Sequence, residues 1–185
     1  MKLAVVLAAL AIAAPAYAAP PAWTVDKAAS KVGFSSKFDG QPVAGAFRRW
    51  DAQIRFDPKD LAHSSARVSI DMTSAVTGDA DRNTALPDTA WFAAAKYPKA
   101  TFVTRSFKSL GGSRYAAVGD LTIRGVTKPL TLPFTLVITG DTAKMNAAVG
   151  LNRLAFGVGQ NEWKSTEVIP AAVQVTIALK ARRAK

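Results

Sequence analysis

Residues 130–138 read Leu-Thr-Leu-Pro-Phe-Thr-Leu-Val-Ile and carry the clearest structural signal in the chain. Large apolar side chains occupy every second position from Leu130 to Ile138, and three of the four residues between them are Thr or Pro. Alternation with period two is typical of a β-strand that turns one face to a core. The stretch therefore predicts a strand whose even-numbered residues share one face.

The same alternation recurs on both sides of this strand. It predicts further strands that begin near Trp23 and then cover residues 32–38, 43–56, 67–73, 100–107, 115–123, 145–151 and 173–179. The pair Arg48-Arg49 interrupts the phase of the strand 43–56, which indicates a β-bulge. Glycine-containing turns such as Gly111-Gly112 are typical of hairpins that join consecutive antiparallel strands.

These strands predict an all-β fold. About eight antiparallel strands joined by short turns favour an up-and-down barrel, with a two-sheet sandwich as the alternative. A barrel of about eight strands is either filled by its own side chains or holds one small ligand. The alternation does not decide which face is inward, because several strands carry apolar residues on both faces.

The segment 79–97 is the one long interruption between strands. It is rich in alanine, Pro87 divides it, and it carries the adjacent aromatic residues Trp91 and Phe92. Aspartate is a favoured residue at a helix start, so we expect one or two short helices here. Long connections in compact domains are usually functional, and we expect this one to form a lid over one barrel mouth. The loop around Trp163 would then lie at the other end.

The first residues resemble an export signal. Lys2 precedes an apolar run, and Ala16-Tyr17-Ala18 matches the small-x-small pattern before a cleavage site. The run is much shorter than the 20 or so apolar residues of a membrane-spanning helix. We expect a signal peptide over residues 1–18, one domain over residues 19–185, and a periplasmic location.

The composition restricts the chemistry. The sequence has no cysteine and a single histidine, His63, so disulfides, thiolate nucleophiles and iron–sulfur clusters are excluded. A metal site at His63, Asp57 and Asp60 would have only one imidazole, and we expect no metal or redox cofactor. The formal net charge of +11 is scattered along the chain. We interpret it as favouring solubility and weak contact with an anionic membrane surface, not nucleic-acid binding.

Catalytic patterns are weak. The sequence lacks a Gly-x-Ser-x-Gly nucleophile motif. Asp79 and Asp81 form a pair of carboxylates, but Arg82 adjoins them, and helix capping explains them better. We therefore expect a binding protein and not an enzyme.

Aromatic and aliphatic side chains on the predicted strands could line a channel. The candidate lining residues, with the lid and loop aromatics included, are Phe34, Phe47, Trp50, Ile54, Ile70, Met72, Trp91, Phe92, Phe102, Leu121, Phe134, Leu136, Phe156 and Trp163. An arginine offers five N–H donors and no acceptor, which suits a polar head group. The candidate head-group contacts are Arg49, Arg82 and Arg153.

Four stretches of the sequence resemble one known family. The most specific is residues 119–129, Gly-Asp-Leu-Thr-Ile-Arg-Gly-Val-Thr-Lys-Pro, and the others fall within residues 23–34, 82–102 and 153–159. On these residues the chain is identified as a member of the YceI-like family of polyisoprenoid-binding, lipocalin-like periplasmic proteins. Many members carry an Asp and a His where this chain has Asn83 and Ala85, so a role for that acid or imidazole does not transfer.

The resemblance implies an extended antiparallel β-barrel around a long apolar channel. It implies binding of an isoprenoid, a quinone-like tail or a fatty-acid derivative, and an association with a cytochrome b561-like membrane protein. The leading expectation is therefore a non-catalytic periplasmic carrier. Two alternatives stay open: a stress-response or interaction protein with a solid barrel, and a lipid-modifying hydrolase or isomerase that needs a titratable pair facing the cavity.

Overall fold

The computed structural model describes residues 19–184. Eleven strands lie within this range. They are β1 (Ala22–Val25), β2 (Lys31–Phe38), β3 (Gln41–Phe47), β4 (Trp50–Arg55), β5 (Ser65–Asp71), β6 (Ala75–Val76), β7 (Lys99–Ser109), β8 (Arg114–Ile123), β9 (Val126–Thr139), β10 (Thr142–Asn152) and β11 (Ala172–Arg183). One α-helix, α1 (Ala80–Ala85), and three short 3₁₀ helices complete the regular elements (Met72–Ser74, Arg153–Phe156, Asn161–Lys164).

The eleven segments form eight barrel strands, because the first six are joined end to end in twos: β1 continues into β2, β3 into β4, and β5 into β6. β1 and β2 both pair with β11, at Trp23 opposite Arg183 and at Val32 opposite Ile177. On the next barrel strand, β4 pairs with β1 and β3 pairs with β2. On the one after that, β5 pairs with β4 and β6 pairs with β3. We call β1–β2, β3–β4 and β5–β6 the composite strands.

The remaining strands, β7 to β11, each pair antiparallel with the next, and the β1–β11 pairing closes the sheet. The prediction of an all-β up-and-down barrel of about eight strands is therefore confirmed, and the sandwich alternative is wrong. The predicted irregularity at Arg48-Arg49 is the break between β3 and β4. There the Arg48 N–H donates to the Ser74 carbonyl at 3.0 Å, outside the β3–β6 pairing.

The two ends of the barrel differ. At the closed end, the turns 110–113 and 140–141 and the loop 56–64 meet an aromatic cluster. Trp23 and Phe56 lie at its centre, 6% and 5% exposed, and the Trp23 indole N–H donates to the Phe56 carbonyl at 2.9 Å. Trp23 can be buried because its polar N–H finds this acceptor.

At the other end, which we call the lid end, two connections cover the barrel. One is the lid, residues 77–98, and the other is the connector, residues 153–171. Asp79 caps the N-terminus of helix α1, and its side chain accepts from the Arg82 N–H at 2.9 Å. The helix has only six residues, and turns fill the rest of the lid, since Pro87 removes a backbone donor directly after it. The expectation of a short helix in segment 79–97 is confirmed for residues 80–85.

The predicted signal peptide lies outside the described residues. Within residues 19–184, no helix combines the length and the apolar character that a membrane crossing requires.

Candidate functional site

A cavity of about 570 Å³ occupies the barrel interior. Its wall is almost entirely apolar and is built from the inward face of every strand from β2 to β11 except β6, together with Trp23 of β1. Within residues 19–184, no large side chain is less than 2% exposed. A packed core would bury many large side chains fully, so these inward residues face open space. The barrel is hollow.

The structure settles which strand face is inward. On β9, Leu130, Leu132, Phe134, Leu136 and Ile138 line the cavity, whereas the residues between them are exposed on the outside. The structure also places all fourteen candidate lining residues from Phe34 to Trp163 on the cavity wall.

At the closed end, Phe56, Phe107 and Phe134 form the floor of the cavity, and the Tyr115 ring packs against two of them. The Phe56 ring meets Phe107, Tyr115 and Phe134 edge-on, with centroids 5.1, 5.5 and 6.1 Å away. Such edge-to-face pairs add to the free energy gained by burial. These packed rings close the bottom of the cavity.

A second run of rings crosses the middle of the cavity toward the lid. Phe34 and Phe47 lie 5.2 Å apart, and Phe47 and Phe92 lie 6.1 Å apart, measured between centroids. Phe92 also packs with Met72, Ala94 and Ala100. The lid thus sends a side chain into the barrel that extends the apolar wall.

The lid and the connector hold each other at the lid end. The rings of Trp91 and Trp163 lie 5.4 Å apart, and the Ala90 carbonyl accepts from the N–H groups of Gly159 and Gln160 at 2.9 and 2.8 Å. The expectation that Trp163 marks the opposite end of the barrel from the lid is therefore wrong. The reason is topological: the β10–β11 connection and the lid leave the sheet at the same end.

The cavity reaches solvent between the β2–β3 turn and α1. Lys37, Phe38 and Asp81 line the cavity there and are exposed, and Phe38 keeps 38% of its surface accessible. We call this opening the mouth. Thr77, Leu86 and Ile169 also line the cavity, and no periodic pattern could predict them because they lie in irregular segments.

Polar side chains on the cavity wall are few, and most are already bonded within the protein. Ser36 donates to the Ala172 carbonyl, Thr77 to the Asn83 side chain, and Thr104 to the Ala66 carbonyl, at 3.1, 2.9 and 3.1 Å. The remaining polar lining residues are Lys37, Asp81, Arg82 and Arg153.

Arg153 is 5% exposed and has no carboxylate partner among the described residues. Its guanidinium instead donates to four backbone carbonyls, those of Val158, Ser165, Ile169 and Pro170, at 3.0, 3.2, 2.8 and 3.0 Å. Burial lowers the pKa of the Arg153 guanidinium below its ordinary value. All four acceptors belong to the connector, so Arg153 fixes the shape of the connector.

Arg82 and Arg49 occupy different environments. Arg82 lines the mouth; its Nη2 lies 3.3 Å from Asp79 Oδ2, and its buried Nε has no hydrogen-bond partner. Arg49 lies away from the cavity, where its Nε donates to Asp71 at 2.9 Å and its Nη2 to Thr73 at 2.7 Å. Of the three arginines predicted to contact a head group, the structure brings two to the cavity wall and leaves Arg49 on the outer surface.

His63 lies in the closed-end loop, where its Nδ1 is 2.7 Å from Asp60 Oδ1. Residues 19–184 contain no group of three or more side chains that could hold a metal ion. This geometry explains His63 as part of a local loop contact.

Comparisons with known proteins agree with this architecture. The sequence profile of the YceI-like domain matches residues 23–181. Among curated relatives, the YceI protein of Escherichia coli O157:H7 is 40% identical over 97 residues, which is 52% of this chain and 50% of that protein. A protein of Pseudomonas savastanoi pv. phaseolicola is 32% identical over 122 residues, 63% of this chain and 64% of its own. The chain thus spans about half the length of the first of these relatives.

Solved structures give the same fold. The crystal structure of BcnA from Burkholderia cenocepacia superposes with a TM-score of 0.82 at 38% identity and covers 85% of this chain and 99% of that one. A polyisoprenoid-binding domain from Saccharophagus degradans has a TM-score of 0.73 at 17% identity, covering 89% and 99%. At that identity the second likeness shows the fold alone.

Proposed function

The chain belongs to the YceI-like family, and from this premise we propose that it binds one long-chain lipid, an isoprenoid or a quinone-like amphiphile, inside its barrel. The observation that carries the proposal is the hollow apolar interior of about 570 Å³. Ligand pockets in proteins are mostly apolar and of comparable size. The first alternative, a stress-response or interaction protein with a solid barrel, does not account for an open interior of that kind.

The length of the cavity suits a chain-like ligand. Inward residues of β11 run from Val173 to Ala181, which spans roughly 20 Å along the axis of a barrel with strands tilted by about 40°. An extended hydrocarbon with bonds of about 1.5 Å advances about 1.3 Å per carbon, so about fifteen carbons fit. Burying them gains on the order of 12 kcal/mol before the costs of association. Apolar contact is therefore the main source of the binding free energy.

The polar groups on the cavity wall favour binding over catalysis. An acid–base mechanism needs titratable groups within reach of a bound substrate. On the wall, Lys37, Asp81 and Arg82 lie at the mouth, and Arg153 is bonded to backbone carbonyls. The lipid-modifying enzyme is therefore the weaker alternative.

Export to the periplasm is part of the proposal. It rests on the signal-like residues 1–18, and N-terminal sequencing of protein produced in its own host would test it. An N-terminus at Ala19 is the expected result, and an intact Met1 in mature protein would contradict it. Association with a cytochrome b561-like membrane protein is a further part of the proposal, and co-purification from detergent-solubilised membranes would test it.

Two adjacent substitutions on β11 test the binding site itself. Val175 lines the cavity, whereas Gln174 is exposed on the outer face. Val175→Trp should fill the channel and weaken binding at least about tenfold, because a tryptophan displaces several methylenes of the ligand. Gln174→Trp adds the same side chain outside the barrel and should leave affinity unchanged.

The measurement is native mass spectrometry of the protein from its own host, followed by titration of the delipidated protein with geranylgeraniol. Co-purified lipid that is lost in Val175→Trp and kept in Gln174→Trp would support the proposal. If both variants retain the same lipid, the ligand lies outside the barrel and the proposed site is wrong.

A further inference from the structure

Acidic residues are absent from one continuous side of the barrel wall. The strands β9, β10, β11, β2 and β3 are neighbours in the sheet, and their sequences contain no Asp or Glu. The same five strands carry seven basic residues, which are Lys31, Lys37, Lys128, Lys144, Lys180, Arg182 and Arg183. On the other side, Asp51, Asp71 and Asp120 of β4, β5 and β8 each form an ion pair with a basic neighbour. The fold therefore gathers on one side a positive charge that is scattered along the sequence.

Lys180 lies at the centre of this basic side. The residues before and after it line the cavity, so its own side chain belongs to the outer face. Lys180 is directly opposite Lys144 of β10, and Arg182 follows two positions later on the same face of β11. Lys31 of β2 is opposite Ala178 and is therefore diagonal to Lys180. We call Lys31, Lys144, Lys180 and Arg182 the basic cluster, whose side chains start within about 5 to 8 Å of Lys180.

The basic cluster lacks an internal counter-charge. None of its four members forms an ion pair among the described residues. Two carboxylates in neighbouring turns engage other groups, since Asp26 accepts from a turn N–H at 3.1 Å and Asp141 lies 3.5 Å from Arg183 Nε. Like charges directly opposite each other on neighbouring strands destabilise a sheet. An external anion would offset the repulsion between Lys144 and Lys180.

The lid end has no such excess of positive charge. The lid contains three acidic and two basic residues, and the connector contains two of each. The basic cluster lies toward the closed end, because Arg182 is opposite Thr142, next to the turn 140–141. An anionic surface is attracted to the region of highest positive charge, so it meets the wall of the barrel and not the lid end.

An exposed apolar side chain adjoins the basic cluster. Val137 of β9 is directly opposite Lys144 and keeps 56% of its surface exposed, more than any other large apolar residue of the described chain. An apolar contact among cations suits the headgroup layer of an anionic bilayer. Single-stranded nucleic acid is usually bound with exposed aromatic rings, whereas the aromatic residues of these five strands all line the cavity.

From this charge distribution we infer that the outer face of β10, β11 and β2, centred on Lys180, docks on an anionic lipid bilayer. The inference goes beyond the proposed function, because it concerns the outside of the barrel and not its interior. Headgroup phosphates supply the missing counter-charge between Lys144 and Lys180, and Val137 lies at the level of the headgroups. The barrel rests on its side, with the mouth beside the membrane and not against it.

Flotation with lipid vesicles tests this docking face. The unmodified protein should bind vesicles of phosphatidylcholine that contain about one-third phosphatidylglycerol and should not bind phosphatidylcholine alone, and the binding should weaken as the salt concentration rises. Each cation near an anionic surface contributes about fivefold to affinity. Lys144→Gln combined with Lys180→Gln should therefore weaken binding at least about tenfold.

The matched control removes two exposed cations from the opposite side of the barrel. Arg67 on β5 and Lys108 on β7 lie across the barrel from β10 and β11. Arg67→Gln combined with Lys108→Gln lowers the net charge by the same amount and should change vesicle binding less than about twofold, because these side chains face away from the membrane.

Two further variants separate docking from folding and from the cavity. The Lys144→Gln, Lys180→Gln protein should melt at the same temperature as the unmodified protein or higher, because a like-charge pair has been removed. Val175→Trp, which fills the channel, should bind anionic vesicles as the unmodified protein does. A loss of vesicle binding in Val175→Trp would assign the contact to the cavity and overturn the docking face.

The remaining outcomes are distinct. A loss of vesicle binding confined to the Lys144→Gln, Lys180→Gln protein would establish the docking face. Failure to bind anionic vesicles, an equal loss in the two double variants, or tighter binding of duplex DNA than of vesicles at equal phosphate concentration would overturn it. None of these results would affect the proposed binding of a lipid inside the barrel, which the Val175→Trp and Gln174→Trp comparison tests separately.

Discussion

The indole rings of Trp91 and Trp163 pack against each other with their centroids 5.4 Å apart, although 72 positions separate them in the chain. Trp91 belongs to the lid and Trp163 to the connector. Because the guanidinium of Arg153 also lies 5.8 Å from the Trp91 ring centroid, the same contact joins the lid to the residue that shapes the connector. We therefore expect the two coverings of the lid end to open as one unit.

Removing either tryptophan should loosen both segments. An aromatic pair contributes about 1 kcal/mol, so Trp91→Ala should speed hydrogen exchange in residues 157–164 about fivefold, and Trp163→Ala should do so in residues 86–96. The double variant should add little, because the two residues act together. Trp50→Ala, on the wall beneath Lys27, is the control. Exchange that rises only in the mutated residue's own segment would show two independent coverings.

Arg153 should resist even its most similar replacement. Lysine keeps the charge but has three donors on one atom, and it cannot reach the four connector carbonyls. Arg153→Lys should lower the free energy of unfolding by about 3 kcal/mol, since buried acceptors lose their donors. Arg105 forms an exposed ion pair with Asp120, so Arg105→Lys should change the free energy of unfolding by less than about 0.5 kcal/mol. Urea denaturation compares them; equal stability of the two variants would mean that water replaces the lost donors.

Two strand glycines should respond differently to an added methyl group. A Cβ on Gly119 would overlap the Val103 carbonyl oxygen and lie 2.9 Å from the Thr104 Cα, next to the β7 bulge. A Cβ on Gly150 would meet only the Gln174 side chain, at 3.8 Å. Gly119→Ala should cost more than about 2 kcal/mol, whereas Gly150→Ala should be neutral or slightly stabilising. Thermal melting of the two variants measures the difference, and similar melting temperatures would show that β8 can shift away from β7.

A charge placed on the two faces of β9 should separate inside from outside. Phe134 is 8% exposed and inward, and Thr135 is exposed beside Arg114 on β8. Phe134→Asp should unfold the domain or cost more than about 4 kcal/mol, because an unpaired carboxylate replaces an aromatic ring of the floor. Thr135→Asp should change stability by less than about 0.5 kcal/mol. Circular dichroism against temperature gives the test, and a stable Phe134→Asp protein would mean that water fills the cavity floor.

Asp71 should make a pH-dependent contribution. Hydrogen bonds from Thr73 and then from Arg49 lower its pKa below the ordinary value of 3.8, so folding favours the ionised form. The contribution is complete above about pH 5 and is lost as the pH falls through the lowered pKa. Asp71→Asn should therefore be less stable than the unmodified protein at neutral pH. The difference in melting temperature should shrink below about pH 4, and a difference that stays constant down to pH 2 would assign it to altered hydrogen bonding alone.

The strands were predictable because their signal is local. Alternation of period two along residues 130–138 needs no knowledge of the neighbouring strands. The loss of alternation at Arg48-Arg49 likewise marked an irregularity, which in the structure is a break between β3 and β4 and not a bulge. Closure of the barrel was a weaker prediction, because it depends on Trp23 pairing with Arg183, a contact between the two ends of the domain that no local pattern specifies.

The arginines show where sequence reasoning reached its limit. Arg49 and Arg153 looked alike, each a cation near a strand whose alternation did not fix its direction. The partners that separate them are the Asp71 and Thr73 side chains for Arg49 and four connector carbonyls for Arg153. Backbone carbonyls exist at every residue and carry no sequence signal, so the role of Arg153 becomes visible only in the fold.

The breaks in the composite strands have a consequence for the evolution of the barrel. All three fall between the closed end and the segments β2, β3 and β6 that border the mouth, so insertions in the turn after Phe38 extend the mouth without disturbing the Phe56 floor. We therefore expect a longer β2–β3 hairpin to deepen the cavity and to admit a longer tail, while the position of the floor stays fixed.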